Sequence, residues 1–141
     1  MFRSCLINCV ALALGISAAP LRAQAPLQPG LVATAGDGQR TVKFALPTPN
    51  FTLRAGESLH PALRPAFSVT WTGVLRVPRA GRHTLFANAK VFLDGQEIQG
   101  RSTVLAAGER VLKIEFTRAD AGLARLQLEW EAEFFAREPV P

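Results

Sequence analysis

The chain has 141 residues, 48% of them hydrophobic, and a formal charge of +5. Such a length supplies one domain with a single core, and because the basic residues form no long run, a nucleic-acid surface is excluded. The two cysteines, Cys5 and Cys9, both lie at the extreme amino end, so the rest of the chain has no disulfide and no thiol chemistry.

Residues 1–23 have the three parts of a secretory signal: Arg3 near the start, an apolar run over residues 5–16, and a small-residue tail closing on Leu21-Arg22-Ala23. The run is shorter than the ~20 residues that cross a bilayer. Cys9 precedes the apolar residues, where a lipid-anchoring cysteine would follow them. Cleavage is therefore expected after Ala23, giving an exported protein that is periplasmic, cell-surface or secreted. Loss of Arg3 and Arg22 with that segment lowers the charge from +5 to +3. Residues 24–30, QAPLQPG, read as an exposed lead-in, and residues 31–133 as one folded domain.

Strands dominate that domain. Residues 30–34 form a first candidate, Asp37-Gly38-Gln39 a turn, and Val42, Phe44 and Leu46 one side of a second strand, which together suggest a hairpin. Four prolines, at 47, 49, 61 and 65, forbid a helix or a central strand across residues 47–65, so a long ordered connection is expected there. Phe67, Val69, Trp71, Leu75 and Val77 then alternate with Ser68, Thr70, Thr72 and Arg76, as a half-buried strand requires. Pro78-Arg79-Ala80-Gly81 reverses the chain, and the period of two resumes from His83 to Leu93, stopping at Asp94-Gly95, a dipeptide suited to a tight turn. Residues 97–98 and 103–105 are short strand candidates. Residues 111–117 and 124–130 read as a second hairpin, with Leu112, Ile114 and Phe116 facing Ala124, Leu126, Leu128 and Trp130 inward. Lys113 and Glu115 would then oppose Arg125, Gln127 and Glu129 across the strands. No stretch beyond residue 23 keeps apolar residues at helical spacing, so the fold class is all-β: an antiparallel β-sandwich, jelly-roll-like.

The order of these motifs resembles a known family. Phe67-Ser68-Val69-Thr70-Trp71-Thr72-Gly73-Val74-Leu75, then Ala80-Gly81-Arg82-His83-Thr84-Leu85, then Val91-Phe92-Leu93-Asp94-Gly95, are similar to the signature of the PA-fourteen domain, the β-sandwich first named from anthrax protective antigen. Leu105-Ala106-Ala107-Gly108 and Leu126-Gln127-Leu128-Glu129-Trp130 continue the likeness toward the carboxyl end. The resemblance implies a non-catalytic extracytoplasmic module that binds glycans, such as cell-surface polysaccharide, or accompanies a fused or neighbouring module. Its calcium-dependent members carry paired aspartates in the loop before the strand that ends at Asp-Gly. Here Phe86-Ala87-Asn88-Ala89-Lys90 occupies that position without a carboxylate. Calcium takes six to eight oxygen ligands, several of them charged, so no metal is expected there. His83 stands where the family usually has an aromatic.

Residues 134–141 read as a truncated end or as a linker of the kind that leads, in large exported bacterial proteins, into a module such as a c-type cytochrome or hydrolase. No Cys-x-x-Cys-His motif occurs for haem attachment. No nucleophile with a base, phosphate loop or metal-ligand spacing is present either. The sequence thus implies no enzyme and no cofactor. The residues singled out for contact with a ligand or partner are Asp94 at a loop tip, Arg79 and Arg82 around one turn, and Asn88 in the acid-free loop. Glu129, Glu131 and Glu133 recur at every second position as a solvated strand face would.

Overall fold

The computed structural model describes residues 30–141; the expected signal segment at 1–23, with both cysteines, and residues 24–29 of the expected lead-in lie outside them. Among the described residues every regular element is a strand: β1 (Leu31–Gly36), β2 (Thr41–Leu46), β3 (Phe51–Leu53), β4 (Phe67–Val77), β5 (Gly81–Phe86), β6 (Lys90–Leu93), β7 (Gln96–Glu97), β8 (Ser102–Leu105), β9 (Gly108–Arg118), β10 (Ala124–Leu126), β11 (Glu129–Ala132) and β12 (Phe135–Pro139). A six-stranded sheet has the order β2-β1-β4-β9-β6-β7 and a four-stranded sheet the order β12-β11-β5-β8, while β10 pairs with β3 alone. All pairings are antiparallel. The chain is an antiparallel β-sandwich.

The alternation that predicts the strands also decides what fills the sandwich. Phe67, Val69, Trp71, Leu75 and Val77 of β4 are buried, and so are Leu112 and Ile114 of β9, Leu85 of β5, Val91 and Leu93 of β6, and Leu126, Leu128 and Trp130 from the other side. Each large side chain so removed from water contributes ~1.5–3 kcal/mol, which outweighs any surface pair. Gly73 is the gap in this inward row. A Cβ there would collide with the end of the Leu31 side chain, so the missing side chain leaves the space that Leu31 fills.

Several expected pairings differ. The first hairpin forms as expected, Leu31 opposite Leu46 through Gly36 opposite Thr41. The turn at 78–81 does reverse the chain, but β4 enters the large sheet and β5 the small one. The run from His83 to Leu93 is not one strand: it breaks at residues 87–89, and β6 crosses to the large sheet beside β9. The second expected hairpin does not form. β9 pairs with β4 over its whole length and with β6, whereas β10 pairs with β3 and β11 with β5. Inward-facing rows of β9 and of β10–β11 meet across the core instead of side by side in one sheet. Lys113 accordingly pairs with Glu115 of its own strand, at 2.6 Å, and not with β10 or β11.

The proline-rich connection contains β3, and it is tied down by Arg118. This buried guanidinium donates to the carbonyls of Glu57, Arg54 and Gly122, satisfying loop acceptors that no ladder reaches. The expected linker is ordered: its residues Phe135–Pro139 form β12, with Trp130 opposite Glu138 and Ala132 opposite Phe135. Val140 is buried, and its N–H donates to the Leu128 carbonyl at 3.1 Å. The segment stays because β11 has an open ladder edge and because Phe134 and Phe135 close an aromatic cluster with Trp130 and His83.

Candidate functional site

The break between β5 and β6 shapes a polar hollow. Ala87 and Asn88 leave the small sheet there, and Gln99 and Gly100, from the connection after β7, run alongside. A groove of about 440 Å³ opens between this crossover and the outward side chains of β10, β11 and β12: Arg125, Gln127, Glu129 and Arg137, with Phe86 at the end of β5. A second hollow of about 420 Å³ shares Asn88 and Gln99 and continues over Lys90, Glu115 and Thr117.

Hydrogen bonding fixes which groups the groove presents. The Asn88 Nδ2 donates to the Arg125 carbonyl at 2.5 Å, and the Gln99 Nε2 donates to the Ala87 carbonyl at 2.5 Å. A carbonyl only accepts, so each amide must turn its nitrogen inward and keep its oxygen for something else. These two bonds also clamp the crossover to β10 and to the β7–β8 connection. On the facing wall Arg125 Nη2 donates to Gln127 Oε1 at 2.5 Å, and Gln127 Nε2 donates to Glu129 Oε1 at 2.8 Å. Glu129 Oε2 receives both Nε and Nη2 of Arg137, at 2.5 Å each. The Arg137 guanidinium lies over the Phe86 ring, 4.0 Å from its centroid. Stacking, amide acceptors and guanidinium donors are thus arrayed along one shallow surface.

Of the four residues singled out from sequence, only Asn88 lines this groove. Asp94 makes the β6–β7 turn, with φ +49° and Gly95 at +83°. Its carboxylate accepts from the Val111 N–H at 3.0 Å and from Arg110 at 3.3 Å. Those bonds lock the turn onto β9. Arg79 stacks on Phe134, 5.1 Å from the ring centroid, and the Arg82 carbonyl accepts from the Glu133 N–H in the β11–β12 turn. Sequence reasoning passed over Arg125, Gln127, Glu129 and Arg137. The first three were visible as an outward polar row of period two, and that is also the pattern of any solvated strand face. Among the described residues no three His, Cys, Asp or Glu side chains cluster closely enough to share a metal ion.

No family model matches the chain, and no curated protein matches it. Solved structures do. An anti-sigma factor domain-containing protein from Clostridium clariflavum is 23% identical, with a TM-score of 0.68 over 88% of this chain and 50% of its own. Another anti-sigma factor domain-containing protein is 18% identical, with a TM-score of 0.69 over 81% of this chain and 46% of its own. The transport component C2-II of the C2-toxin from Clostridium botulinum is 18% identical, with a TM-score of 0.62 over 80% of this chain and 26% of its own. The chain therefore spans half or less of the length of each of these proteins, and the likeness is one of fold.

Proposed function

We propose that this chain is an exported, non-catalytic accessory domain of the protective-antigen type, and that it holds a glycan or another extracytoplasmic partner in the groove at Asn88. The observation that carries the reading is the groove's place and chemistry together. It lies at the crossover before the strand ending in Asp94-Gly95, where the resemblance expects sugar contact, and it is lined by amides, guanidinium groups and an aromatic ring. Sugar hydroxyls need such paired donors and acceptors, and the stacked Arg137–Phe86 pair gives the groove a rigid wall. The fold likeness to a toxin transport component and to parts of larger proteins supports an accessory role. A glycan array probed with and without a calcium chelator tests the reading. Binding should persist in the chelator and fall at least tenfold for Asn88→Ala or Gln99→Ala; a chain that retains no glycan sinks it.

A second reading, a scaffold that packs against a downstream module such as a c-type cytochrome or hydrolase and binds no ligand, draws on one observation. Val74 and Val111 oppose each other on the outer face of the large sheet, 52% and 61% exposed. An open frame running on past the codon for Pro141 into such a module would favour it, provided that Val74→Asp separates the two.

A further inference from the structure

We infer that the groove selects an acidic saccharide, and that Arg125 is the residue that reads the acid. The inference rests on the proposed glycan binding in this groove and narrows it to a class of sugar. Unspent donors and unbalanced charge point to it. Arg137 already has a carboxylate: two of its nitrogens meet Glu129, and its cation is balanced. Glu129 in turn has both oxygens engaged, one by Gln127 and one by Arg137. Arg125 stands at the other end of the row. A guanidinium carries five N–H groups in a planar fork, and the structure commits only Nη2 of Arg125, to the neutral amide of Gln127. Among the described residues no carboxylate lies within ion-pair distance of it. The groove thus has two cations and one anion, and Arg125 is the cation without a carboxylate partner.

Asn88 and Gln99 sharpen the choice of ligand. Each spends one amide N–H on a backbone carbonyl and keeps its oxygen and a second N–H for a ligand. Those oxygens accept from sugar hydroxyls and give no support to a free anion. A ligand that satisfies both walls carries hydroxyl donors and a planar anion together, as a uronic acid residue does. A carboxylate fits the guanidinium fork with two parallel bonds, which a neutral hydroxymethyl group cannot make. Calcium has no part in this arrangement, because the guanidinium supplies the positive charge that a cation supplies elsewhere.

The test uses one backbone in four forms, titrated calorimetrically into the purified chain in chelator: a β-1,4-linked glucuronate trisaccharide, its methyl ester, cellotriose, and cellotriose sulfated at the 6-positions. The free acid should bind about tenfold or more tighter than the ester or cellotriose, as loss of a charge-assisted bidentate pair implies, and tighter than the sulfated form. Its affinity should drop as salt is raised, since the site is open to solvent. Arg125→Gln should abolish the preference for the acid while leaving weak binding of cellotriose and an unchanged melting temperature. Equal affinity for acid, ester and cellotriose would overturn the acid selection yet leave glycan binding standing. Equal affinity for the sulfated and carboxylated forms would overturn selection of a carboxylate over other oxyanions. Failure of all four to bind would overturn the inference, and if the wider glycan array is also empty the reading beneath it falls too.

Discussion

His83 has one ring nitrogen accounted for, with Nδ1 lying 3.0 Å from the Gly81 carbonyl. Its Nε2 is buried without a partner amid Trp130, Phe134 and Phe135. A buried polar atom left unpaired costs ~1–3 kcal/mol, while replacing it by an apolar group of the same shape removes that cost. His83→Phe should therefore leave stability unchanged or raise it by about 1 kcal/mol in urea unfolding, even though Nδ1 is lost with the ring. A fall of more than about 2 kcal/mol would mean that the imidazole has a role the packing does not reveal. Asp37 makes the opposite case, a polar group with both oxygens engaged. Its carboxylate accepts backbone N–H bonds from Gln39, Arg40 and Arg64, and these, with the Arg64 charge, lower its pKa from 3.8 to about 2. A depressed folded-state pKa gives stability that is fully present above the unfolded value and is lost as pH falls through the folded one. Unfolding midpoints of the parent chain should thus decline between about pH 4 and pH 2 more steeply than those of Asp37→Asn. Parallel curves would show that the turn at Asp37 does not hold the 60–65 loop in the way its bond to Arg64 indicates.

At the level of elements, β12 separates what alternation can predict from what it cannot. Residues 134–141, FFAREPVP, begin with two adjacent aromatics and end with prolines, so no period of two emerges and a linker is the natural expectation. The strand forms because of its neighbour. β11 would otherwise show a bare ladder edge, and Trp130 and Leu128 would lack the cover that Phe135 and Val140 supply. Deleting residues 134–141 should therefore lower stability by about 3–5 kcal/mol, the range for uncovering large core side chains, with a matching drop in melting temperature and a rise in Trp130 exposure seen by fluorescence quenching. An unchanged melting temperature would return the segment to the status of a linker. The same limit explains the missing second hairpin. Alternation in residues 111–117 and 124–130 states which side chains point inward, and that part was legible down to Leu112, Ile114, Leu126 and Trp130. It does not state the partner, because two inward rows meet equally well within one sheet or across a sandwich.

For the whole molecule, the groove is a product of topology more than of any local motif. Its walls come from the end of β5, the crossover, the connection after β7, and the three last strands, which only the sandwich brings together. Sequence reading could find Asn88, since it sits where an acidic loop is missing, but it had no means of joining Arg125 or Arg137 to it across the fold. That assembly leads to a prediction about metal. Residues 86–90 bring no carboxylate to the groove, and its one acid, Glu129, spends both oxygens on Gln127 and Arg137. A calcium ion needs six to eight oxygens at 2.3–2.6 Å, with charge among them, and the groove could assemble such a set only by breaking the Glu129–Arg137 pair and seating the ion beside two guanidinium groups. A ligand that binds the folded state alone raises stability by RT ln(1 + [L]/Kd). Millimolar calcium should accordingly leave the melting temperature within about 1 °C of its value in chelator, since a site with a Kd of about 10 µM would add ~2.7 kcal/mol and shift it by several degrees. Should calcium raise the melting temperature, Glu129→Gln decides the cause: a shift lost in that variant would place the ion in the groove and overturn the argument from charge, whereas a shift that survives would put it elsewhere on the sandwich.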